Sequence, residues 1–254
     1  MAQETRHEMI VELLNSNGQV TVQSIAKQFA ITEQTARRDL ANLCSKGLAT
    51  RVHGGVKRLT SNASSDYETR RLKNIAAKSR IGRKAAQIIP NGSTVAINIG
   101  TTTEQVANAL INHHDLQIIT NNTNIVGIMR SAKLKSLIQV GGQIRPSDGA
   151  VVGEEAVEFI SRYKADYAIV GASSIDEDGS ILDFDPREVA VARAILKNAR
   201  TKILVIDNSK FSVDAPVRIA DLSDIHYVVL DTAPSPTFSR AAENAGAKIV
   251  VAGS

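Results

Sequence analysis

The chain has a single cysteine, Cys44, among its 254 residues. That excludes an internal disulfide and a cysteine-rich zinc module, and Cys44 reads as a small core residue of a helix. No apolar run approaches the ~18 residues needed to cross a bilayer, and the opening stretch MAQETRHEMI lacks the apolar segment of a secretory signal. A cytoplasmic protein with no membrane partner is the expectation. His113 and His114 are adjacent and have no partner four residues on, so neither a metal nor any other cofactor is expected.

Net charge is small, +4, but uneven. Residues 1–84 carry 15 Lys/Arg against 7 Asp/Glu, a net of +8, whereas residues 85–254 carry 15 against 19, a net of −4. A basic front on a mildly acidic body suits a polyanion-binding head joined to a domain with another task. Chance also produces such asymmetry, so it acquires meaning only with a motif.

Residues 3–58 read as three helices and a hairpin. In RHEMIVELLNSNG, Met9, Ile10, Leu13 and Leu14 recur at helical spacing before Asn17-Gly18. Thr21 is placed to cap a second helix, VQSIAKQF, and Thr32 a third that runs to about Lys46 and stops at Gly47. LATRVHGGVKR then offers two extended pieces around Gly54-Gly55. Residues 59–75 are expected to link this head to a second domain over 76–254, and LTSNASSD within them is linker-like in composition. A basic helical stretch, YETRRLKNIAAKSRIGRKAAQII, follows that polar segment; it reads as a solvated face or as an extension of a DNA-facing surface.

At 100° per residue, the third helix turns Ala36, Leu40 and Leu43 to one side, with Gln34 and Arg38 nearly opposite and Thr35 and Arg37 on the flanks. In a helix–turn–helix pair the second helix enters the major groove. There Arg reads guanine, Gln reads adenine, and Thr meets a methyl group or phosphate. Asp39 reads as an internal partner for a nearby cation. The expected DNA-binding set is Thr32, Gln34, Thr35, Arg37 and Arg38, with Arg51, His53 and Lys57, beside Arg58, on the wing. The bland alternative is a three-helix bundle with a solvated basic face.

From Ser93 the pattern alternates. STVAIN, LQIIT, LIQVGG, YAIVGA, KILVID and HYVVLD are short, β-branched runs, and helical stretches such as TEQVANALIN, EEAVEFISRY and REVAVARAILKNA separate most of them. Uninterrupted apolar strands are buried on both faces, which predicts an α/β domain with a parallel sheet covered by helices. Ligands in such folds sit beyond the carboxyl ends of the strands. In NIGTTTEQ, Gly100 allows a tight turn, and the N–H groups and hydroxyls of Thr101, Thr102 and Thr103 converge at a helix N-terminus, which favours a phosphate. The same run also reads as ordinary capping. Other strand tips carry Asn121 and Asn122, Gly141 and Gly142, Gly171 and Ser173, and the segment DNSKF. Lys210 there is either a point charge for a phosphate or a solvent-facing loop lysine. Amides and hydroxyls at these tips suit a polyhydroxylated ligand.

The stretch ITEQTARRDLANLCSKGLATRVHGG, with its T-x-R-R-D-L core and R-x-H-G-G wing, resembles the DeoR family of bacterial transcriptional repressors, and the likeness extends over essentially the whole chain. Ala36 departs from it, since a larger aliphatic residue is usual there. The resemblance implies a winged helix–turn–helix on double-stranded operator DNA and a sensor domain related to ribose-5-phosphate isomerase and glucosamine-6-phosphate deaminase. GTTT resembles the isomerase phosphate loop, and DNSK its D-x-S-K segment. Where the isomerase has D-G-A-D, this chain has Val170, Gly171, Ala172 and Ser173, so both acids are missing. Glu188 resembles the isomerase base, yet enolisation needs more than one lone carboxylate. Glu188 then binds ligand hydroxyls or pairs with Arg187 or Arg193, and Asp183 and Asp185 share that ambiguity.

The expected effector set is Gly100, Thr101, Thr102, Thr103, Asn121, Asn122, Gly171, Ser173, Asp183, Glu188 and Lys210. The implied protein is a homodimeric or homotetrameric repressor, not an enzyme, of a sugar or polyol operon. A phosphorylated sugar or polyol such as glycerol 3-phosphate would release it from its operator. The alternatives are an isomerase-like enzyme with an accessory DNA-binding head, and an architectural DNA-binding protein indifferent to metabolites.

Overall fold

The computed structural model describes residues 6–7, 9–11, 13–14, 18–45, 49–52, 54–58 and 67–253. They fall into two compact units, Met1–Asp66 and Tyr67–Ser254. The second unit therefore begins at Tyr67 instead of residue 76. Residues 67–72 of the expected linker form a helix whose Tyr67 hydroxyl bonds to Glu104 of that unit.

In the first unit, residues 6–7, 9–11 and 13–14 are helical, with Ile10 and Leu14 in the core. Strand β1 (Gln19–Thr21) leads into helix α1 (Val22–Gln28) through a reciprocal cap. Thr21 Oγ1 accepts from Ser24 N, and Ser24 Oγ accepts from Thr21 N. Helix α2 (Glu33–Ser45) starts where Thr32 Oγ1 accepts from Thr35 N at 3.2 Å. Its expected stop, Gly47, lies outside the described residues. Strands β2 (Ala49–Val52) and β3 (Gly55–Arg58) form the hairpin, and β1 joins them in an antiparallel sheet of order β1-β3-β2. Both glycines of the turn are required. Gly54 has φ +77, and a Cβ on Gly55 would sit 2.2 Å from Val20 O.

The second unit opens with α3 (Tyr67–Leu72) and α4 (Ile75–Ala86). One continuous helix is broken here by Asn74, whose φ of +56 turns the chain through a left-handed corner. Next come β4 (Thr94–Ile97), α5 (Thr101–Leu110), β5 (His114–Thr120), α6 (Thr123–Met129) and β6 (Lys133–Gln139). A hairpin, β7 (Gln143–Arg145) and β8 (Ala150–Val152), precedes α7 (Glu154–Ser161) and β9 (Ala165–Val170). Strands β10 (Ser174–Ile175), β11 (Ser180–Asp183) and β13 (Val217–Asp221) make a small antiparallel sheet. Helix α8 (Pro186–Lys197), β12 (Ala199–Val205), β14 (Tyr227–Leu230), α9 (Pro236–Ala245) and β15 (Lys248–Val251) complete the unit.

The main sheet has seven parallel strands in the order β15-β14-β12-β9-β4-β5-β6. Side chains alternate across it. Val95, Ile97, Ile169 and Ile203 meet residues of α4, α5 and α6, whereas Ala96, Ala168, Val170 and Leu204 meet α7, α8 and α9. Each fully buried Val or Ile contributes ~1.5–3 kcal/mol relative to exposure, which is why nearly unbroken apolar runs become central strands. From β4 the chain moves outward to β5 and β6, then returns to β9 on the other flank of β4. That reversal makes the carboxyl ends of β4 and β9 a topological switch point, the place where sheets of this kind form a ligand crevice. No described helix is long and apolar enough to cross a membrane.

Candidate functional site

Two surfaces carry the chemistry, one in each unit. On α2, Ala36, Leu40 and Leu43 are buried, and the opposite side exposes Gln34, Arg37 and Arg38. Thr32 is exposed and Thr35 half-buried, their hydroxyls 2.9 Å apart. Arg37 lies 3.4 Å from Glu33 in an exposed pair, a contact weak enough to yield to a phosphate. Asp39 faces inward with 1% of its surface exposed. It accepts from Arg6 Nε at 2.7 Å and pairs with His7 Nε2 at 3.1 Å. Burial alone would raise its pKa, but Arg6 and His7 outweigh that and hold the carboxyl below its ordinary value. The acid thus clamps α2 to the first helix and sets the angle at which the arginines leave the surface. On the wing Arg51 is exposed; His53 and the side chain of Lys57 lie outside the described residues. Cys44 is half-buried against the same core, and burial pushes its thiol pKa up.

In the second unit the crevice is entered by α5. Gly100 takes φ +149, a conformation open to glycine, and starts the helix. The first N–H groups of a helix have no partner within it. Thr103 is buried, and its hydroxyl donates to Asn98 O at 2.8 Å, so it shapes the loop. Thr101 Oγ1 instead accepts from Lys78 Nζ at 2.9 Å. Lys78 was missed by sequence reasoning because it sits in a basic helical run that looks solvated, yet only 3% of it is exposed. Its position has a simple cause. A Cβ on Gly82 would lie 2.4 Å from Gln105 O, so α4 and α5 nearly touch there. One turn earlier on each helix, Lys78 meets Thr101. Burial pushes the Lys78 pKa down to about 8, with Asp207 opposing and Lys210 reinforcing.

Lys210 follows β12 in a short 3-10 turn (Asn208–Ser212). It is half-buried, and burial lowers its pKa against the pull of Asp207 and Asp183. Asp207 is buried, accepting from Asn74 Nδ2 at 3.0 Å and from Ser209 N at 3.1 Å. Burial opposes its charge, but Ser209, Lys210 and Asn74 keep its pKa low. Gly171, at the tip of β9, packs beside Thr103, where a Cβ would stand 3.7 Å from its methyl group. Ser173 Oγ donates to Asp183 Oδ1 at 3.1 Å.

The acidic side is organised by a residue the sequence did not flag. Arg145, at the end of β7, donates to Asp148 through Nε at 2.9 Å and through a terminal nitrogen at 2.6 Å, to Asp185 at 2.9 Å and to Glu188 at 2.5 Å. Burial works against its charge, but Asp148 and Glu188 more than offset this and hold its proton more tightly than usual. Burial and the neighbouring Asp183 push Glu188 up to about 7, against the pull of Arg145. Glu188 is thus paired with Arg145; neither Arg187 nor Arg193 holds it. Arg187 bonds Asp185, and Arg193 bonds Ile219 O.

Asn121 and Asn122, expected at the ligand, are turned inward and fully buried. Asn121 accepts from Ile99 N at 2.9 Å and donates to Val151 O at 3.2 Å. Asn122 donates to Glu104 Oε1 at 2.8 Å and accepts from Asn124 N at 2.9 Å. Both ends of both amides are taken within the fold, so they tie the loops together. Gly100, Thr101, Thr102, Gly171, Ser173, Asp183, Glu188 and Lys210 remain around the crevice. Among the described residues, no group of three or more His, Cys, Asp or Glu is placed to hold a metal. His113 Nε2 meets Ile89 O at 3.1 Å, and His114 Nδ1 meets Asp115 at 2.9 Å.

Residues 6–62 match the model of the DeoR-like helix-turn-helix domain, and residues 73–232 that of the DeoR C terminal sensor domain. The chain is 41% identical to the glycerol-3-phosphate regulon repressor of Escherichia coli K12, covering 92% of this chain and 93% of that one. It is 40% identical to the repressor of the same name in Haemophilus influenzae, covering 92% and 91%. Ribose 5-phosphate isomerase A of Methanocaldococcus jannaschii overlaps 55% of each chain at 14% identity and TM-score 0.40, a likeness too slight to transfer any residue's role.

Proposed function

This chain belongs to the DeoR family of transcriptional repressors, and from that premise we propose that a phosphorylated sugar or polyol controls its hold on operator DNA. Gln34, Thr35 and Arg38 on α2 read bases, while Thr32, Arg37 and the wing residues Arg51, His53 and Lys57 meet the backbone. In the second unit the effector's phosphate lies at the N-terminus of α5, against the N–H groups of Thr101, Thr102 and Thr103. The observation that carries this reading is the buried Lys78 ammonium, 2.9 Å from Thr101 Oγ1 and close enough to Lys210 for the two cations to repel. Two lysines beside a helix N-terminus in a switch-point crevice suit a dianion. Asp183, Glu188 and Ser173 accept or share hydroxyl hydrogen bonds from the rest of the ligand. Asn98 Oδ1, buried with no hydrogen-bond partner among the described residues, offers a further acceptor beside the loop.

The named function of the relatives makes glycerol 3-phosphate the first compound to try. Dimers or tetramers are the working form, because paired heads match palindromic half-sites. An isomerase reading draws on the Glu188 pKa near 7, a value suited to a general base. Against it, Arg145 occupies the same carboxylate at 2.5 Å, and Val170 and Ser173 stand where the isomerase pattern has its acids. The test titrates labelled promoter duplex with the protein, then adds sugar and polyol phosphates in turn. Release by one compound supports the reading. Turnover of a compound without release supports the enzyme, and no response to any compound refutes metabolite control.

A further inference from the structure

We propose that α3 is a polar strap that the effector loosens, and that this loosening carries the signal toward the DNA-binding head. The inference rests on the effector site proposed above and adds the path by which that site acts. Helix α3 is the first element of the sensor unit, so the linker runs directly into it. None of its six residues is fully buried, and Leu72 is 69% exposed. Tyr67 is half-buried and is its main apolar contribution.

What holds it is a set of polar contacts to α4, α5, α6, the β7–β8 turn and the segment after β12. Tyr67 OH donates to Glu104 Oε2 at 2.5 Å, on the first turn of α5, and accepts from Asn124 Nδ2 at 3.2 Å, after β5. The Arg70 guanidinium stands 3.8 Å from Asp148 Oδ2, in the β7–β8 turn. Arg70 O accepts from Lys78 Nζ at 2.5 Å, and Asn74, at the corner after α3, donates to Asp207 Oδ1 at 3.0 Å, after β12. An element fixed mainly by polar contacts, with no fully buried side chain, opens at low free-energy cost.

Lys78 makes the strap sensitive to ligand. Its ammonium is shared between Arg70 O, which belongs to the strap, and Thr101 Oγ1, which belongs to the phosphate loop. A phosphate at that loop offers charged acceptors, whose attraction for the ammonium adds a charge–charge component that a neutral carbonyl lacks. Ligand and strap therefore compete for one cation, and the hydrogen bond from Lys78 to Arg70 O gives way. Lys210 and Asp207 place the Asn74 contact in the same field.

The test uses the full chain, a duplex it selects from a random pool, and glycerol 3-phosphate as probe. Tyr67→Phe removes the ties to Glu104 and Asn124 and leaves Glu104 bonded to Asn122. Asn74→Gly removes another while accepting the left-handed corner. The double variant should bind glycerol 3-phosphate within about threefold of the parent. The factor by which that ligand weakens DNA binding should fall about tenfold, out of the roughly 5–150-fold typical of such coupling. Tyr67→Phe alone, the milder change, should lose part of it. In the parent, amide hydrogens of residues 67–73 should exchange faster once ligand is bound. Undiminished coupling in both variants, or unchanged exchange in the ligand-bound parent, overturns the strap and leaves the effector site standing. A parent that binds no phosphorylated compound overturns both.

Discussion

Replacing Asp39 with alanine should destabilise the first unit and leave the second as it is. Its carboxylate is 1% exposed and carries the Arg6 Nε contact at 2.7 Å and the His7 contact at 3.1 Å. Removing one partner of a buried ion pair costs ~3–5 kcal/mol, because the remaining charge is stranded. The Arg6 side chain keeps 11% of its surface in solvent, which brings the cost to roughly 2–4 kcal/mol. A domain the size of the first unit, which ends at Asp66, is stable by roughly 3–10 kcal/mol. The substitution therefore removes a fifth or more of the head's stability. Its melting should drop by roughly 8–32 °C, at about 4–8 °C per kcal/mol. Scanning calorimetry should show a lower head transition with the sensor transition in place, and DNA affinity should fall with the head. The pH dependence has a definite sign. A carboxyl held below its unfolded pKa stabilises the fold fully above that value, ~3.9, and loses the contribution as pH falls through its folded pKa. The gap between parent and variant should thus shrink below about pH 4. An Asp39→Ala protein with an unmoved head transition and unchanged DNA affinity at pH 7 would refute the clamp.

Three further outcomes follow from the same contacts. Arg38→Ala should lower the preference for operator over random duplex by ~1–3 kcal/mol, read by competition binding, while effector binding is unchanged. Lys78→Ala should weaken glycerol 3-phosphate binding by ~1.5–3 kcal/mol, or about 10–150-fold by calorimetry. Gly82→Ala would improve helix propensity on an open surface by ~1 kcal/mol. Here its Cβ meets Gln105 O at 2.4 Å, so the melting temperature of the sensor and its ligand affinity should both fall.

Much of this was legible in the chain because its signals are local. Thr21 and Thr32 cap the helices they were expected to cap, Ala36, Leu40 and Leu43 face inward, and all six apolar runs became strands of the parallel sheet. What was missed depends on tertiary approach. Strand β15 is a four-residue run near the end of the sequence, with no helix after it to mark its period. Asn74 adopts a conformation that its neighbours do not announce. Lys78 resembles its exposed basic neighbours until Gly82 brings α5 against it. Arg145 ends a three-residue strand without a motif, and its four hydrogen bonds reach residues up to 43 positions away. Asn121 and Asn122 show the converse. An amide at a strand tip suits a ligand or a loop equally well, and only the surrounding fold shows that both are spent inside.

The central claim is that one chain holds DNA and a phosphorylated metabolite in mutually opposed states. Linkage makes that claim reciprocal: the ligand must lose affinity for the DNA-bound protein by the factor by which it weakens DNA binding. Calorimetric titration of glycerol 3-phosphate into free protein and into protein saturated with its operator measures that factor directly. The account predicts weaker binding to the complex, matching the shift in DNA affinity. Equal affinity for both forms would contradict it.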